Sequence, residues 1–223
     1  MVVDGQKLKS NFSSEKDNKD LVVSKRVLKS DKYFPIEVAS RMIQLADNIR
    51  DKFYLAWHFE TGVRVSDIVG QVDKKGSGRL LGQEIHNIDW DNNRVWTYDH
   101  KKDSWRYVYF PKKVRGLLKI WLKERQNLGF KSRQLFPYSE KTCNRIVKRW
   151  AKEAGFQYAV ICGTHWCRHT FIRLSRRVGR DIKAVQQNTG DTIPTLLNWY
   201  ADLGTEEMHI EVDEKPIFGE LNY

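Results

Sequence analysis

The sequence predicts an α+β domain, mostly helical, with one small three-stranded antiparallel sheet. Three observations predict it. Apolar residues recur at helical spacing through residues 36–70 and again through 111–203. Between these stretches the period changes to two, in EIHNIDW, RVWTYDH and WRYVYF. Glycine or proline marks nearly every change of pattern.

Taken in order, residues 1–30 are polar and charged and are expected to form an arm or linker, with a short strand near Leu21–Val23. The folded domain is expected over 31–203, starting near Tyr33 or Pro35. In EVASRMIQLADN, Val38, Met42, Leu45 and Ala46 share a helical face. RDKFYLAWHFET places Phe53, Ala56, Trp57 and Glu60 at helical spacing and stops at Gly62. VRVSDIVG is a short helix entered by Arg64, with Ser66 as a candidate cap. Residues 73–82 form a glycine-rich basic loop. The hairpins follow, turning at DNN and KKDS. Pro111 opens a helix with Val114, Leu117, Leu118, Trp121 and Leu122 on one stripe, ending at Gly129. Residues 140–154 turn Ile146, Val147, Trp150 and Ala154 inward. THWCRHTFIRLSRRVG is expected to be capped by Thr164 and stopped by Gly179, and Asp181 caps IKAVQQNTG. The last helix is expected over Pro194–Leu203. Residues 204–223 form an acidic tail in which MHIEV reads as an edge strand.

Composition narrows the function. With 223 residues and 40% apolar content the chain can bury a sizeable core. The N-terminus lacks an apolar signal-peptide region, and no apolar run reaches the roughly 18 residues of a membrane span. Cys143, Cys162 and Cys167 lack metal-site spacing and read as buried free thiols of a reducing compartment. The net charge is +11, and residues 201–223 hold seven acidic residues against one lysine. A body that basic suits a nucleic-acid partner.

Several residues carry candidate chemistry. His165 and Arg168 lie three apart near a helix start, where a guanidinium fork and helix N–H groups favour a phosphate. His169 is offset by one position, points elsewhere, and is expected to have either a structural role or one supporting the site from behind. Arg64 follows the Thr61–Gly62 turn. It either faces a cleft or forms a surface ion pair with Asp67. Lys101 and Lys102 occupy a hairpin turn, where they are either solvated or carried into a groove. Tyr200 ends NWY in the last helix. A tyrosine with its usual pKa of about 10 becomes a nucleophile only beside cations.

These residues in this order resemble the tyrosine recombinases, or phage integrases. The segment HWCRHTFIRLSRRVGRDIKAVQQNTGDTIPTLLNWY is similar to their signature region, and ETGVRVSDIV to the segment bearing their first arginine. The resemblance covers roughly residues 36–203. It implies a catalytic domain with Tyr200 as nucleophile, Arg64 and Arg168 on the phosphate, His165 assisting, and Asp67 supporting from behind. The family's lysine precedes a strand arginine by five positions, which selects Lys101 over Lys102 because Arg106 follows at that distance. The family's turn histidine or tryptophan is replaced by Asp191, which cannot donate a hydrogen bond when ionised. Three outcomes are open there: the carboxylate faces away, Asn188 substitutes, or Thr192 substitutes. Thr189 replaces the usual turn leucine.

The resemblance further implies site-specific recombination or integration of double-stranded DNA through a 3′-phosphotyrosine, with no cofactor and no metal. It implies a homotetramer on DNA for the full-length enzyme, a monomer for an isolated domain, and the cytoplasm of a prokaryotic host. The separate core-binding domain of the family is not evident before residue 31, so the chain reads as a catalytic fragment or a minimal enzyme. The acidic tail is expected to pack either on a neighbouring protomer or back on its own domain. The alternatives are a DNA-binding relative with weak or no catalysis and a type IB topoisomerase.

Overall fold

The computed structural model describes residues 32–72 and 80–201, with the backbone alone at positions 72, 80 and 199–201. The N-terminal arm with Leu21–Val23, most of the glycine-rich loop and the acidic tail with MHIEV lie outside the described residues. Within them the order is α1 (Ile36–Leu45), α2 (Ile49–Thr61), α3 (Val65–Val69), β1 (Gln71–Val72), β2 (Leu80–Leu81), β3 (Ile88–Asp89), β4 (Arg94–Asp99), β5 (Ser104–Tyr109), α4 (Lys112–Asn127), α5 (Glu140–Glu153), α6 (Thr164–Arg177), α7 (Ile182–Thr189) and α8 (Ile193–Ala201). The architecture is the expected one: helices around a small antiparallel sheet of order β3-β4-β5. A second two-stranded ribbon, β1 with β2, was not expected.

Helix α2 is the centre of the core. Phe53 through Phe59 are all buried, so this helix is enclosed on every side. Phe53 stacks on Phe136 at 5.2 Å, and the Trp57 indole donates to Gln83 Oε1 at 2.9 Å. The Gln83 amide in turn donates to Thr97 at 3.1 Å, which ties the helix to the sheet. A separate small cluster of Phe171, Ile172, Val185 and Leu196 joins α6, α7 and α8. This cluster sets where the last helix lies.

The sheet obeys its period. Val95, Thr97 and Asp99 point to the helices, opposite Val108, Arg106 and Ser104. The other face carries Trp96, Tyr98, Trp105 and Tyr107. Asn93 and Asp103 take left-handed backbone at the two turns, which their short polar side chains tolerate.

Four local expectations are corrected. Leu45 is 41% exposed, because Ala39, Met42 and Ala46 make the inward stripe and Leu45 sits on its flank. Ser66 does not cap α3; Arg64 holds the cap position, without a side-chain bond. Thr164 is the first residue inside α6, and its N–H is satisfied from a distance by Asn144 Oδ1 at 3.0 Å. Of EIHNIDW only Ile88–Asp89 is strand. Ile85–Asn87 is a 3₁₀ turn, since the preceding backbone pairs with 133–135 through Ile85 N–H to Arg133 (3.0 Å) and Leu135 N–H to Gln83 (2.7 Å).

Gly62 closes α2 at φ 63° and aims the chain into Arg64. A Cβ there meets the Phe171 ring. Gly62→Ala combines left-handed strain with overpacking and is expected to cost about 2–3 kcal/mol. Urea denaturation of the two proteins measures it, and an unchanged midpoint would contradict the packing described.

Candidate active site

Four elements meet at one place: the α2–α3 junction, the β4–β5 hairpin, the first turns of α6, and the α7–α8 turn at Gly190. They bring three arginines and three aspartates together. Arg64 Nη2 pairs with Asp191 Oδ1 at 2.6 Å, and Arg64 Nη1 lies 3.4 Å from Asp99 and 3.9 Å from Asp67. Arg106 reaches Asp67 and Asp99, both at 3.3 Å. Arg168 pairs with the other oxygen of Asp191. That contact is an ion pair rather than an aligned hydrogen bond.

Two of the arginines are also fixed by backbone carbonyls. Arg168 is 5% exposed, and its Nη1 donates to the carbonyls of Gly62 (2.7 Å) and Thr189 (2.9 Å). It therefore locks the α2 terminus to the α7 terminus. Burial pulls its pKa down to about 10 against the opposing pull of Asp191, so the guanidinium stays charged at neutral pH. Arg106 Nη1 donates to the Asn188 carbonyl at 2.6 Å and so ties β5 to α7. Burial lowers the Arg106 pKa, and Asp67 and Asp99 work against that.

The acids behave differently from one another. Asp67 is fully buried, and burial raises its pKa despite Arg106 and Arg64. Burial also pushes Asp99 upward, but Arg106, Arg64 and the amides of Lys102 and Lys101 outweigh it, so its carboxyl titrates below the ordinary range. Asp99 Oδ1 accepts both hairpin amides, Lys101 N–H at 3.0 Å and Lys102 N–H at 3.1 Å. One carboxylate thus shapes the lysine-bearing turn and faces the Arg64 guanidinium. Gly190, at φ 71°, gives this group its room: a Cβ there meets Asp99 and lies 2.8 Å from Arg106 Nε.

The residues singled out in the sequence divide clearly. Arg64, Asp67, Arg168 and Asp191 are brought together. His165 is exposed on the first turn of α6, one turn from His169. The His169 ring contacts the Lys32 carbonyl at 2.9 Å. Lys101 and Lys102 are both exposed on the hairpin. Tyr200 belongs to the backbone of α8, and its side chain lies outside the described residues. Of the three outcomes open at Asp191, the first is not realised, and the side chains named in the other two are bonded elsewhere. The carboxylate does not face away. The Asn188 side chain pairs with both backbone groups of Tyr109 at 2.9 Å, and the Thr192 hydroxyl contacts Thr195 at 2.8 Å at the start of α8.

Sequence reasoning did not assign Asp99 and Arg106 to the cluster. Their signal was present: they are charges on the helix-facing side of a period-two pattern, where apolar residues are expected. It also passed over His58, buried beneath Arg168, where burial pushes the imidazole down to about 3 with the charges of Arg168 and His165 adding.

The fold is similar to those of solved recombinase and integrase structures. XerA recombinase superposes with a TM-score of 0.67 at 21% identity, covering 86% of this chain and 64% of that one. The catalytic domain of bacteriophage HP1 integrase gives 0.54 at 15% identity, over 85% of this chain and 98% of that one. The Phage integrase family model matches residues 32–207, and the chain belongs to that family. Tyrosine recombinase XerA of Saccharolobus solfataricus is 24% identical over 171 residues, 77% of this chain and 52% of that protein. Tyrosine recombinase XerC of Thermodesulfovibrio yellowstonii is 26% identical over 178 residues, covering 74% and 51%. The chain spans about half the length of the curated relatives it matches. Among the described residues no helix is long and apolar enough to cross a membrane.

Two measurements follow. His58 and His169 titrate at about 3 and about 4 in the folded protein, both lowered chiefly by burial, against about 6.5 in an unfolded chain. Between these values the unfolded chain binds more protons, so stability falls as pH drops from about 6.5 towards 4. His58→Asn, which keeps an acceptor for Tyr54 but does not titrate, is expected to remove on the order of 3 kcal/mol of that fall. Melting curves across the interval measure it; parallel curves for the two proteins would refute it. Asp99→Ala is expected to loosen the hairpin, seen as faster amide exchange at Lys101, whose amide loses its acceptor, than at Lys102, whose N–H keeps the Asp99 backbone carbonyl at 3.1 Å.

Proposed function

We propose that the chain is the catalytic part of a site-specific DNA recombinase that cuts and rejoins strands through Tyr200. One observation carries this reading beyond family membership: Arg64 and Arg168 converge on the two oxygens of a single anion. Two non-bridging phosphate oxygens present the same chemistry to a pair of guanidinium forks. The basic body, +17 once the tail is set aside, suits the duplex that would bring the phosphate.

On this reading the Tyr200 oxygen attacks the phosphorus, and the bond to the 5′-oxygen breaks. Arg64 and Arg168 stabilise the charge that builds on the non-bridging oxygens. The tyrosine proton leaves to a base, a role open to His165, which otherwise donates a hydrogen bond to the phosphate. Lys101 supplies a proton to the departing 5′-oxygen. The 3′-phosphotyrosine keeps the energy of the phosphodiester, so attack by a partner strand's 5′-hydroxyl reverses each of these steps and completes the exchange. Asp67 and Asp99 act through Arg64 and Arg106 and do not touch the reacting atoms. Within this reading residues 31–203 are the catalytic unit, residues 1–30 the arm and 204–223 the tail. Four protomers assemble on two duplexes when the enzyme is full length.

The binding-only reading has one specific support, the carboxylate of Asp191 lying where a hydrogen-bond donor is usual. A pool of nicked duplexes with randomised cores and bridging phosphorothiolates separates the two. Wild-type protein is expected to give a covalent protein–DNA band on a denaturing gel, absent for Tyr200→Phe and reduced by about 10²-fold or more in rate for Arg168→Gln. DNA binding without any covalent band would select the binding-only reading.

A further inference from the structure

We propose that Asp191 is the protein's own occupant of the phosphate subsite, so that a DNA phosphate enters between Arg64 and Arg168 only by displacing its carboxylate. This inference rests on the reading of those two arginines as a phosphate clamp.

The three carboxylates of the cluster are not equivalent. Asp67 and Asp99 have fully buried side chains, and each accepts backbone N–H groups, from His100 (3.3 Å) and from Lys101 and Lys102 (3.0 and 3.1 Å). These bonds commit them to the scaffold. The Asp191 side chain keeps 10% exposure, where those of Asp67 and Asp99 have none. Among the described residues its carboxylate is held by Arg64 and Arg168 alone. Its short side chain follows the left-handed Gly190, and its own N–H is turned to the Thr189 hydroxyl at 3.3 Å. Rotation about the side-chain bonds therefore moves the carboxylate without unmaking a backbone hydrogen bond.

Charge points the same way. Three guanidinium groups face three carboxylates, so the resting cluster is neutral. A phosphodiester added to it brings an uncompensated negative charge beside Asp191. With Asp191 swung out, the remaining groups carry one net positive charge, matched to one phosphodiester. The site is thereby closed to stray phosphate, and only a ligand with other contacts, such as a docked duplex, opens it.

Melting temperatures of wild type and Asp191→Asn, titrated with inorganic phosphate against chloride at matched ionic strength, test this. A subsite filled by Asp191 for most of the time lowers the apparent affinity for phosphate about tenfold or more. Wild type is therefore expected to respond weakly. Asp191→Asn is expected to melt lower in chloride, with two arginines left partly uncompensated, and to recover in phosphate at concentrations at least about tenfold below any that move wild type. Equal phosphate responses overturn the proposal. So does a variant that stays unfolded in both salts, since Asp191 is then a fixed ion pair. Tyr200 takes no part in the titration. Phosphate competition without a covalent DNA band leaves this inference standing and removes the cleavage reading; a covalent band without competition does the reverse.

Discussion

Three guanidinium groups held at one place in the protein by three carboxylates are the constraint on which the rest of this structure depends. Charges removed from water are costly unless paired and hydrogen-bonded, and removing one partner costs more than the pair returns. The cluster meets that demand by drawing on every neighbouring element. Arg168 reaches the ends of α2 and α7, Arg106 joins β5 to α7, and Asp99 bends the β4–β5 hairpin. The elements hold the charges, and the charges fix the angles between the elements.

The apolar structure serves the same place from below. The fully enclosed α2 gives a rigid base, and its C-terminus at Gly62 provides both a carbonyl for Arg168 and the turn that delivers Arg64. The small cluster of Phe171, Ile172, Val185 and Leu196 is separate from the main core, and through Leu196 it seats α8 on α6 and α7. Under the proposed mechanism the clamp is preorganised by the elements that hold it.

Asp191 gives this member of the family its own character. An aspartate following a left-handed glycine is placed to complete a neutral cluster with two arginines, where a hydrogen-bond donor would leave the arginines in search of an anion. Two guanidinium forks awaiting an oxyanion are satisfied in the resting molecule by a side chain from within.

The class of fold, the order of elements and most of their ends were legible in the sequence. Those features depend on local periods and on caps such as Asp181, Gly62 and Gly190, which are properties of neighbouring residues. It also placed Arg64, Asp67, Arg168 and Asp191 in one group, through the spacing they share with a known family. Tertiary structure alone decided three things. Glu84 and Ile85 pair with 133–135 instead of extending the first strand, because a distant segment offers their backbone a partner. Asp99 and Arg106 enter the cluster, because the hairpin's inward face happens to meet the α7 terminus. And Asp191 turns to the arginines, because burial makes an unpaired guanidinium more costly than a filled site. Each is a choice among long-range partners, and the energies that settle such choices belong to groups far apart along the chain.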